Sequence, residues 1–334
     1  MDPSRRRLVR QLGAGLAGSC LAGFGAHAYA QTPPNWPSRP VRLIYPYPPG
    51  GSGDVVLRAL TESLHKMWNV PVLADNRAGA GGMIGADAVA KAEPDGYTLL
   101  MGITALVLSP QMAEKPSFHP LRDLTPITML GRIEAVLAVH SSLPAKDLKG
   151  FVDYINGSGA PFPYGSVGLG TSGHLGMEVF GRLAKTRLTH VPYKGEAPLL
   201  QDLISGQVSA GIIAAANARK HVETGKLRAL ATVGRSRSAL LPDVPTFAEA
   251  GYPGLDRATW SGIFAPANTP RAIVEKIGAD INQVLAQTEL RTRMLENFGW
   301  ALKGSTPAEF ADITRSDYEF WGEAIRAANL RGTG

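Results

Sequence analysis

Residues 48–54 read Pro-Pro-Gly-Gly-Ser-Gly-Asp, and residues 168–174 read Gly-Leu-Gly-Thr-Ser-Gly-His. Each stretch follows a short apolar run, at residues 41–45 and 163–167, and precedes a helical apolar pattern. A Gly-rich turn between a strand and a helix points unpaired backbone N–H groups, and the positive end of the helix dipole, beyond the strand tip. Ligands of open α/β sheets bind in that region. The pair therefore predicts two α/β halves that each offer one turn to a small anion.

The same strand–turn–helix rhythm extends outward from both stretches and predicts an α/β fold with mostly parallel sheets. Asp54 is placed to cap the helix that follows the first turn. After a strand at residues 260–265 the rhythm stops, and three helices are predicted at residues 272–286, 289–298 and 307–328, with no strand between the last two.

Two apolar segments, residues 136–143 and 262–270, run into proline or glycine and are predicted to be strands that cross between the lobes. On this interpretation one lobe comprises residues 31–137 together with 262–334. The other lobe comprises residues 138–261. A chain of this length is too long for one small core, which agrees with two lobes.

The first 30 residues read as an export signal: four arginines, a Gly/Ala-rich apolar stretch, and the cleavage pattern Ala28-Tyr29-Ala30. Cleavage would leave Gln31 as the first residue. Ser4-Arg5-Arg6-Arg7-Leu8 also fits a twin-arginine signal, so both export routes stay open. A lipid anchor on Cys20 is disfavoured because Ala17 stands where a lipobox has leucine. The protein is thus expected outside the cytoplasm.

Composition excludes several classes of function. The signal holds four Arg and one Asp, so the formal charge falls from +6 to +3 on its removal. The sequence has no run of basic residues of the kind that indicates nucleic-acid binding. No later apolar stretch is long enough to span a membrane. The single cysteine is also lost, so no disulfide and no thiolate metal site is expected. We expect no metal and no cofactor.

Catalytic motifs are lacking, and the chain is not expected to be an enzyme: there is no Gly-x-Ser-x-Gly, no His-Glu-x-x-His and no Walker loop. Gly168-x-Gly170-x-x-Gly173 does match the dinucleotide fingerprint. The next strand, however, runs into Lys194 rather than an acidic residue, which argues against that interpretation. The plain alternative for each turn is an ordinary connector, and only the matched pair favours a ligand site.

Several short stretches, in this order and spacing, resemble the periplasmic receptors of tripartite tricarboxylate transporters, the Bug family, over nearly the whole length after the signal. They are Tyr47-Pro48-Pro49-Gly50-Gly51-Ser52-Gly53-Asp54, Asp75-Asn76-Arg77-Ala78-Gly79-Ala80-Gly81-Gly82, Pro94-Asp95-Gly96-Tyr97-Thr98-Leu99-Leu100, His190-Val191-Pro192-Tyr193-Lys194-Gly195, Gly225-Lys226-Leu227-Arg228-Ala229-Leu230-Ala231, Leu241-Pro242-Asp243-Val244-Pro245-Thr246, and Ala265-Pro266 with Thr269-Pro270.

The resemblance implies a bilobal periplasmic-binding-protein fold of type II, with two crossing strands, that closes on its ligand. It implies a carboxylate held between the lobes and a monomer that docks transiently on membrane transporter subunits. The expected ligand-binding residues on the first lobe are Tyr47, Pro49, Gly50, Gly51, Ser52, Gly53 and Thr104. Those on the second lobe are Thr171, Ser172, Gly173, His174 and Tyr193.

Residues 212–217, Ile-Ile-Ala-Ala-Ala-Asn, depart from the polar segment that many relatives have there. An amino-acid ligand is therefore disfavoured, and a di- or tricarboxylate or an aromatic acid is favoured. Two further hypotheses stay open beside uptake. The protein could be an orphan receptor that feeds a sensor kinase, or a secreted adhesion or scaffold domain with no small ligand.

Overall fold

The computed structural model describes residues 35–332, which form two β-sheets flanked by helices. The strands are β1 (Val41–Tyr45), β2 (Val72–Asn76), β3 (Thr98–Ile103), β4 (Leu124–Ile133), β5 (Ala135–His140), β6 (Phe162–Ser166), β7 (Leu188–Pro192), β8 (Ala210–Ala214), β9 (Leu227–Val233), β10 (Trp260–Pro266) and β11 (Trp300–Leu302). The helices are α1 (Ser52–Trp68), α2 (Met83–Ala90), α3 (Ala105–Met112), α4 (Pro120–Asp123), α5 (Leu148–Gly157), α6 (Ser172–Leu183), α7 (Glu196–Ser205), α8 (Ala215–Glu223), α9 (Arg271–Leu285), α10 (Thr288–Phe298) and α11 (Pro307–Ala327).

The two sheets confirm the α/β class and the bilobal architecture. The first has the strand order β11-β4-β10-β3-β1-β2 and the second β7-β6-β8-β5-β9. Strands β1, β2 and β3 are parallel to one another, as are β6, β7 and β8. Pairs that involve β10, β11 or β5 are antiparallel, so each sheet is mixed rather than mostly parallel.

The chain passes between the sheets at Glu134, which alone separates β4 from β5, and again between β9 and β10. The boundaries predicted at 137/138 and 261/262 are therefore slightly displaced. All of β5 lies in the second sheet, and Trp260 already pairs with β4 in the first. The crossing strand predicted at 136–143 is not a crossing: residues 136–140 belong to β5 of the second sheet, and the chain crosses before them, at Glu134. The second crossing lies in residues 234–259, upstream of the predicted strand at 262–270, because an apolar run does not reveal which sheet it joins.

Two local predictions were wrong, and one strand was overlooked. Strand β11 lies between α10 and α11, where none was expected, because three residues are too short to show a period. Strand β4 was missed although it has ten residues and joins the lobes. Asp54 does not cap α1: Gly51 occupies the N-cap position without a side-chain hydrogen bond, and Asp54 is the third helical residue.

One apolar core runs through both lobes and holds the crossing strands in place. Phe264 and Phe310 of the first lobe belong to the same buried cluster as Phe151 and Phe180 of the second. A separate cluster packs α1 and α9 against the opposite side of the first sheet. Within the described residues, none of the helices is long and apolar enough to cross a membrane.

Candidate functional site

The first Gly-rich turn ends in an unsatisfied helix start. Gly51 is the N-cap of α1, and the N–H groups of Ser52 and Gly53 have no partner among residues 35–332. The first N–H groups of any helix have no intrahelical acceptor, so these two are available to a ligand. Gly53 is buried, and a Cβ there would lie 2.0 Å from the Tyr45 hydroxyl oxygen. Glycine is therefore required by close packing at this position.

The buried carboxylate of Asp54 holds the first turn in place through hydrogen bonds. It accepts from the Gly50 N–H at 3.1 Å, Arg58 Nε at 2.9 Å and Asn76 Nδ2 at 3.1 Å. Burial alone would raise the pKa of this carboxyl, but the hydrogen bonds from Arg58, Gly50 and Asn76 outweigh it and lower the pKa. The ionised carboxylate thus fixes the turn while its charge is compensated locally.

The second turn repeats the arrangement at the start of α6. Thr171 is the N-cap and its Oγ1 accepts the N–H of His174. The N–H groups of Ser172 and Gly173 have no partner in the described part of the chain. The unpaired donors therefore occupy the same two helical positions, the first and second, in α1 and α6. Each pair adds to the positive end of its helix dipole, which favours an anion.

The interior of the second turn is held by a pair of stacked imidazoles. The rings of His174 and His190 lie 3.8 Å apart between centroids with an interplanar angle of 16°. Nδ1 of His174 accepts the Gly170 N–H at 3.2 Å, and Nε2 of His190 lies 2.7 Å from Ser166 Oγ. Because His174 is buried and Nδ1 is used inside the turn, direct ligand contact by this ring stays a prediction.

Both imidazoles are held neutral. Burial lowers the pKa of His190 to about 4, and burial together with the neighbouring His190 lowers the pKa of His174 to about 4. The unfolded chain, with histidine pKa values near 6.5, therefore binds protons first as the pH falls. The contribution of these two imidazoles to the free energy of unfolding is therefore constant above about pH 6.5. It declines between about pH 6.5 and pH 4 and levels off below pH 4.

We expect the free energy of unfolding to fall by up to about 3 kcal/mol for His174 alone between about pH 6.5 and pH 4. The measurement is urea denaturation across that range. His190→Gln, which keeps a donor for Ser166, should flatten the pH dependence of the free energy of unfolding relative to the wild type. An identical slope in that variant would contradict the assignment of the effect to this pair.

Both predicted serines are tied to the crossing region. Ser52 Oγ accepts from Trp300 Nε1 at 3.3 Å, and the hydroxyl of Ser172 bonds to that of Thr259. Trp300 is the register partner of Ile133, whose N–H donates to the Thr259 carbonyl at 2.8 Å. The two serines are therefore linked through neighbouring residues at the junction of the lobes.

The second turn also touches the first lobe directly. A Cβ built on Gly170 would lie 3.0 Å from Met112 Sδ and 3.7 Å from Ser109 Oγ, both on α3. Gly170 has φ +71°, where glycine is favoured over other residues. The turn and α3 thus face each other across the space between the lobes.

The remaining predicted residues have differing environments. Tyr47 is half-buried against Tyr45, and burial raises the pKa of its hydroxyl well above the usual range. Thr104 is buried, and its Oγ1 accepts the Trp260 N–H at 2.8 Å. Tyr193 donates to Asp202 at 2.8 Å. Pro49, Gly50 and Gly51 are exposed.

Sequence reasoning missed four residues that support the site: Asn76, His190, Thr259 and Trp300. Asn76 and His190 lie in stretches that carried the family resemblance, which was the available signal. Thr259 and Trp300 had none, because their roles depend on contacts with residues far away in the chain.

Comparison with known proteins decides the family. The sequence model of the tripartite tricarboxylate transporter family receptor matches residues 56–330. The chain belongs to this family. It is 35% identical to Protein BugT of Bordetella pertussis over 97% of its own length and 98% of that protein. The first turn lies just before the matched residues, and α6 lies within them.

Three solved structures of similar sequence share this fold. A protein of R. palustris determined with adipate has a TM-score of 0.78 and 31% identity, covering 88% of this chain and 98% of that one. MatC from Rhodopseudomonas palustris, with bound malate, has a TM-score of 0.76 and 31% identity, covering 87% and 100%. The periplasmic binding protein BugD has a TM-score of 0.76 and 28% identity, covering 89% and 99%.

Proposed function

We propose that this receptor captures a small organic carboxylate outside the cytoplasmic membrane and delivers it to a tripartite tricarboxylate-type transporter. The observation that carries the proposal is the matched pair of unpaired N–H groups, Ser52 and Gly53 on α1 and Ser172 and Gly173 on α6. One pair comes from each lobe. A dicarboxylate can place one carboxylate at each helix start, and closure of the lobes then excludes water from both contacts.

The apolar end of the second lobe supports a plain carboxylate. A Cβ on Gly173 would lie 3.6 Å from Ile212 Cβ, and α8 begins with the buried Ala215 and Ala216, directly after the buried N-cap Ala214. The nearby carboxylate of Glu196 accepts the Ala214 N–H at 2.7 Å and bonds to Asn217. It is therefore engaged by the protein rather than offered to an ammonium group. The adipate and malate of the two solved relatives are dicarboxylates, which agrees with this choice.

A melting-temperature screen against mono-, di-, tri- and aromatic carboxylates tests the function. A ligand at 100 times its dissociation constant adds about 2.7 kcal/mol to the stability of the folded state. We expect a shift with one class, dicarboxylates first, and none with matched uncharged diols. No shift with any carboxylate would reject the proposal.

The expected partner is a membrane transporter on which the closed form docks transiently. Deletion of the gene should abolish growth on the ligand identified in the screen, because uptake then lacks its receptor. If deletion instead leaves uptake intact and abolishes ligand-induced gene expression, the receptor serves a signalling system. The two outcomes separate transport from sensing.

A further inference from the structure

A cavity of about 480 Å³ lies at the junction of the lobes and contains none of the residues predicted to bind the carboxylate. Its volume falls within the range of small-molecule sites, about 300–1,000 Å³. Residues of the first lobe, the second lobe and the segment between β9 and β10 all contribute to its wall. The charged residues of the wall are Arg132, Arg235, Arg237, Arg257, Glu134, Asp256, Asp312 and Asp317.

The strand order separates this cavity from the carboxylate site. Its wall includes the ends of β4 and β9 and Ala301 of β11. In the first sheet β11 lies beyond β4, and in the second β9 lies beyond β5, on the side away from β1, β3, β6 and β7. The turns of the carboxylate site follow those inner strands. The cavity therefore lies towards the β11 and β9 edges of the two sheets, and none of its wall residues belongs to the two turns.

Two guanidinium groups in the wall have unused donors. Arg132 is half-buried, makes only a 3.4 Å hydrogen bond to the Ala258 carbonyl, and forms no ion pair among residues 35–332. Arg257 binds Asp317 Oδ1 at 2.5 Å and Ser316 at 3.1 Å, but its buried Nε has no partner. A buried donor without an acceptor is costly unless a ligand supplies one. A carboxylate suits such donors, because guanidinium groups bind it with paired hydrogen bonds.

The acidic residues of the wall differ in how far they are compensated. Asp317 uses both oxygens, since Oδ2 accepts from Trp260 Nε1 at 2.7 Å, and Asp256 pairs with Arg235 at 3.0 Å. Glu134 forms no ion pair: Oε2 accepts from the Ser238 hydroxyl at 2.5 Å, and Oε1 has no partner within the described chain. The wall thus holds equal numbers of arginines and carboxylates. One group of each sign forms no ion pair among the residues that the structure describes: Arg132 on β4, and Glu134, which directly follows β4.

We propose that this cavity binds a small zwitterion, a molecule that carries both a carboxylate and an ammonium group, of which free α-amino acids are the simplest class. Arg132 receives the carboxylate, and Glu134 Oε1 receives the ammonium. A simple anion would meet the carboxylates of a wall whose formal charge is zero, whereas a zwitterion satisfies the unpaired groups of both signs. Residues of both lobes form the wall, so a bound molecule contacts both lobes.

The test is isothermal titration of a panel of amino acids, with the corresponding carboxylic acids and amines as matched single-charge probes. We expect binding of at least one amino acid, and at least tenfold weaker binding of the acid and the amine that resemble it. Arg132→Gln and Glu134→Gln should each weaken the amino acid at least tenfold, because each removes one charge contact. Arg182→Gln, an exposed arginine on α6, should leave it unchanged.

The outcome distinguishes the two sites. Ser172→Asp changes the carboxylate site and should leave amino-acid binding intact. Ser236→Glu adds a negative charge at an exposed position of the cavity wall and should weaken amino-acid binding. This second variant keeps the test available if Arg132→Gln fails to fold. Loss of amino-acid binding in Ser172→Asp would move the ligand to the carboxylate site and overturn the proposal. So would equal binding of the acid and the amino acid, or no amino-acid binding at millimolar concentration.

Discussion

Ser172→Asp should abolish carboxylate binding while leaving the unliganded protein as stable as the wild type. The new carboxylate would stand at the first position of α6, beside the unpaired N–H groups that the ligand needs. Two unit charges about 4 Å apart repel by about 4 kcal/mol near a protein surface, which corresponds to roughly a thousandfold loss of affinity. The helix itself tolerates the change, since an acidic residue in the first turn complements the dipole.

Titration of the ligand identified by the melting screen measures the effect, and Ser172→Asn is the matched control. Asparagine has nearly the shape of aspartate but no charge, so it tests the steric part alone. We expect Ser172→Asn to retain most of the affinity. If the aspartate variant binds as tightly as the wild type, the carboxylate does not lie at this helix start.

Trp260→Ala should lower the free energy of unfolding by about 3–5 kcal/mol, the range for removal of a large buried aromatic side chain. Trp260 is fully buried at the start of β10 and packs edge-on against Phe310 at 5.1 Å. Its Nε1 donates to Asp317, so the substitution also leaves a buried carboxylate short of one partner. The residue sits where the chain re-enters the first sheet, and ligand affinity should fall as well.

Urea denaturation of Trp260→Ala and Trp260→Phe separates the two contributions. Phenylalanine keeps most of the apolar contact and loses only the hydrogen bond, so it should cost about 1–3 kcal/mol. Tyr154→Ala, which removes an exposed aromatic side chain from α5, should change stability by less than about 1 kcal/mol. A loss in Trp260→Ala no larger than in Tyr154→Ala would contradict the packing role of Trp260.

Elements with a clear local pattern were predicted closely from the sequence. The apolar run at 41–45 has the bounds of β1, and the helices predicted at 289–298 and 307–328 are α10 and α11, each displaced by one residue at one end. The bounds shift by one residue where the apolar run contains proline and glycine: the run at 163–167 is β6, Phe162–Ser166. Strand β4 was overlooked because its pairing with β10 contains two register irregularities, so its residues show no regular alternation.

In the site, too, the residues with a clear local pattern were predicted and those without one were not. The glycines and serines of the two turns could be identified because the stretches read alike and each stands between a strand and a helix. The orientation of His174 could not, since a helix start gives no sign that the ring will turn inward and stack on His190. Nor could the cavity beside Arg132, whose wall comes from segments more than 100 residues apart.

The sequence by itself determined the α/β class, the two Gly-rich turns and the family, because glycine placement, helix starts and apolar periodicity act over a few residues. Only the tertiary structure decided which N–H groups remain unpaired, how the lobes join at Glu134, and which charges meet in the cavity beside Arg132. Those features depend on which distant residues become neighbours. Burial then sets the pKa values and the unsatisfied donors that give each site its chemistry.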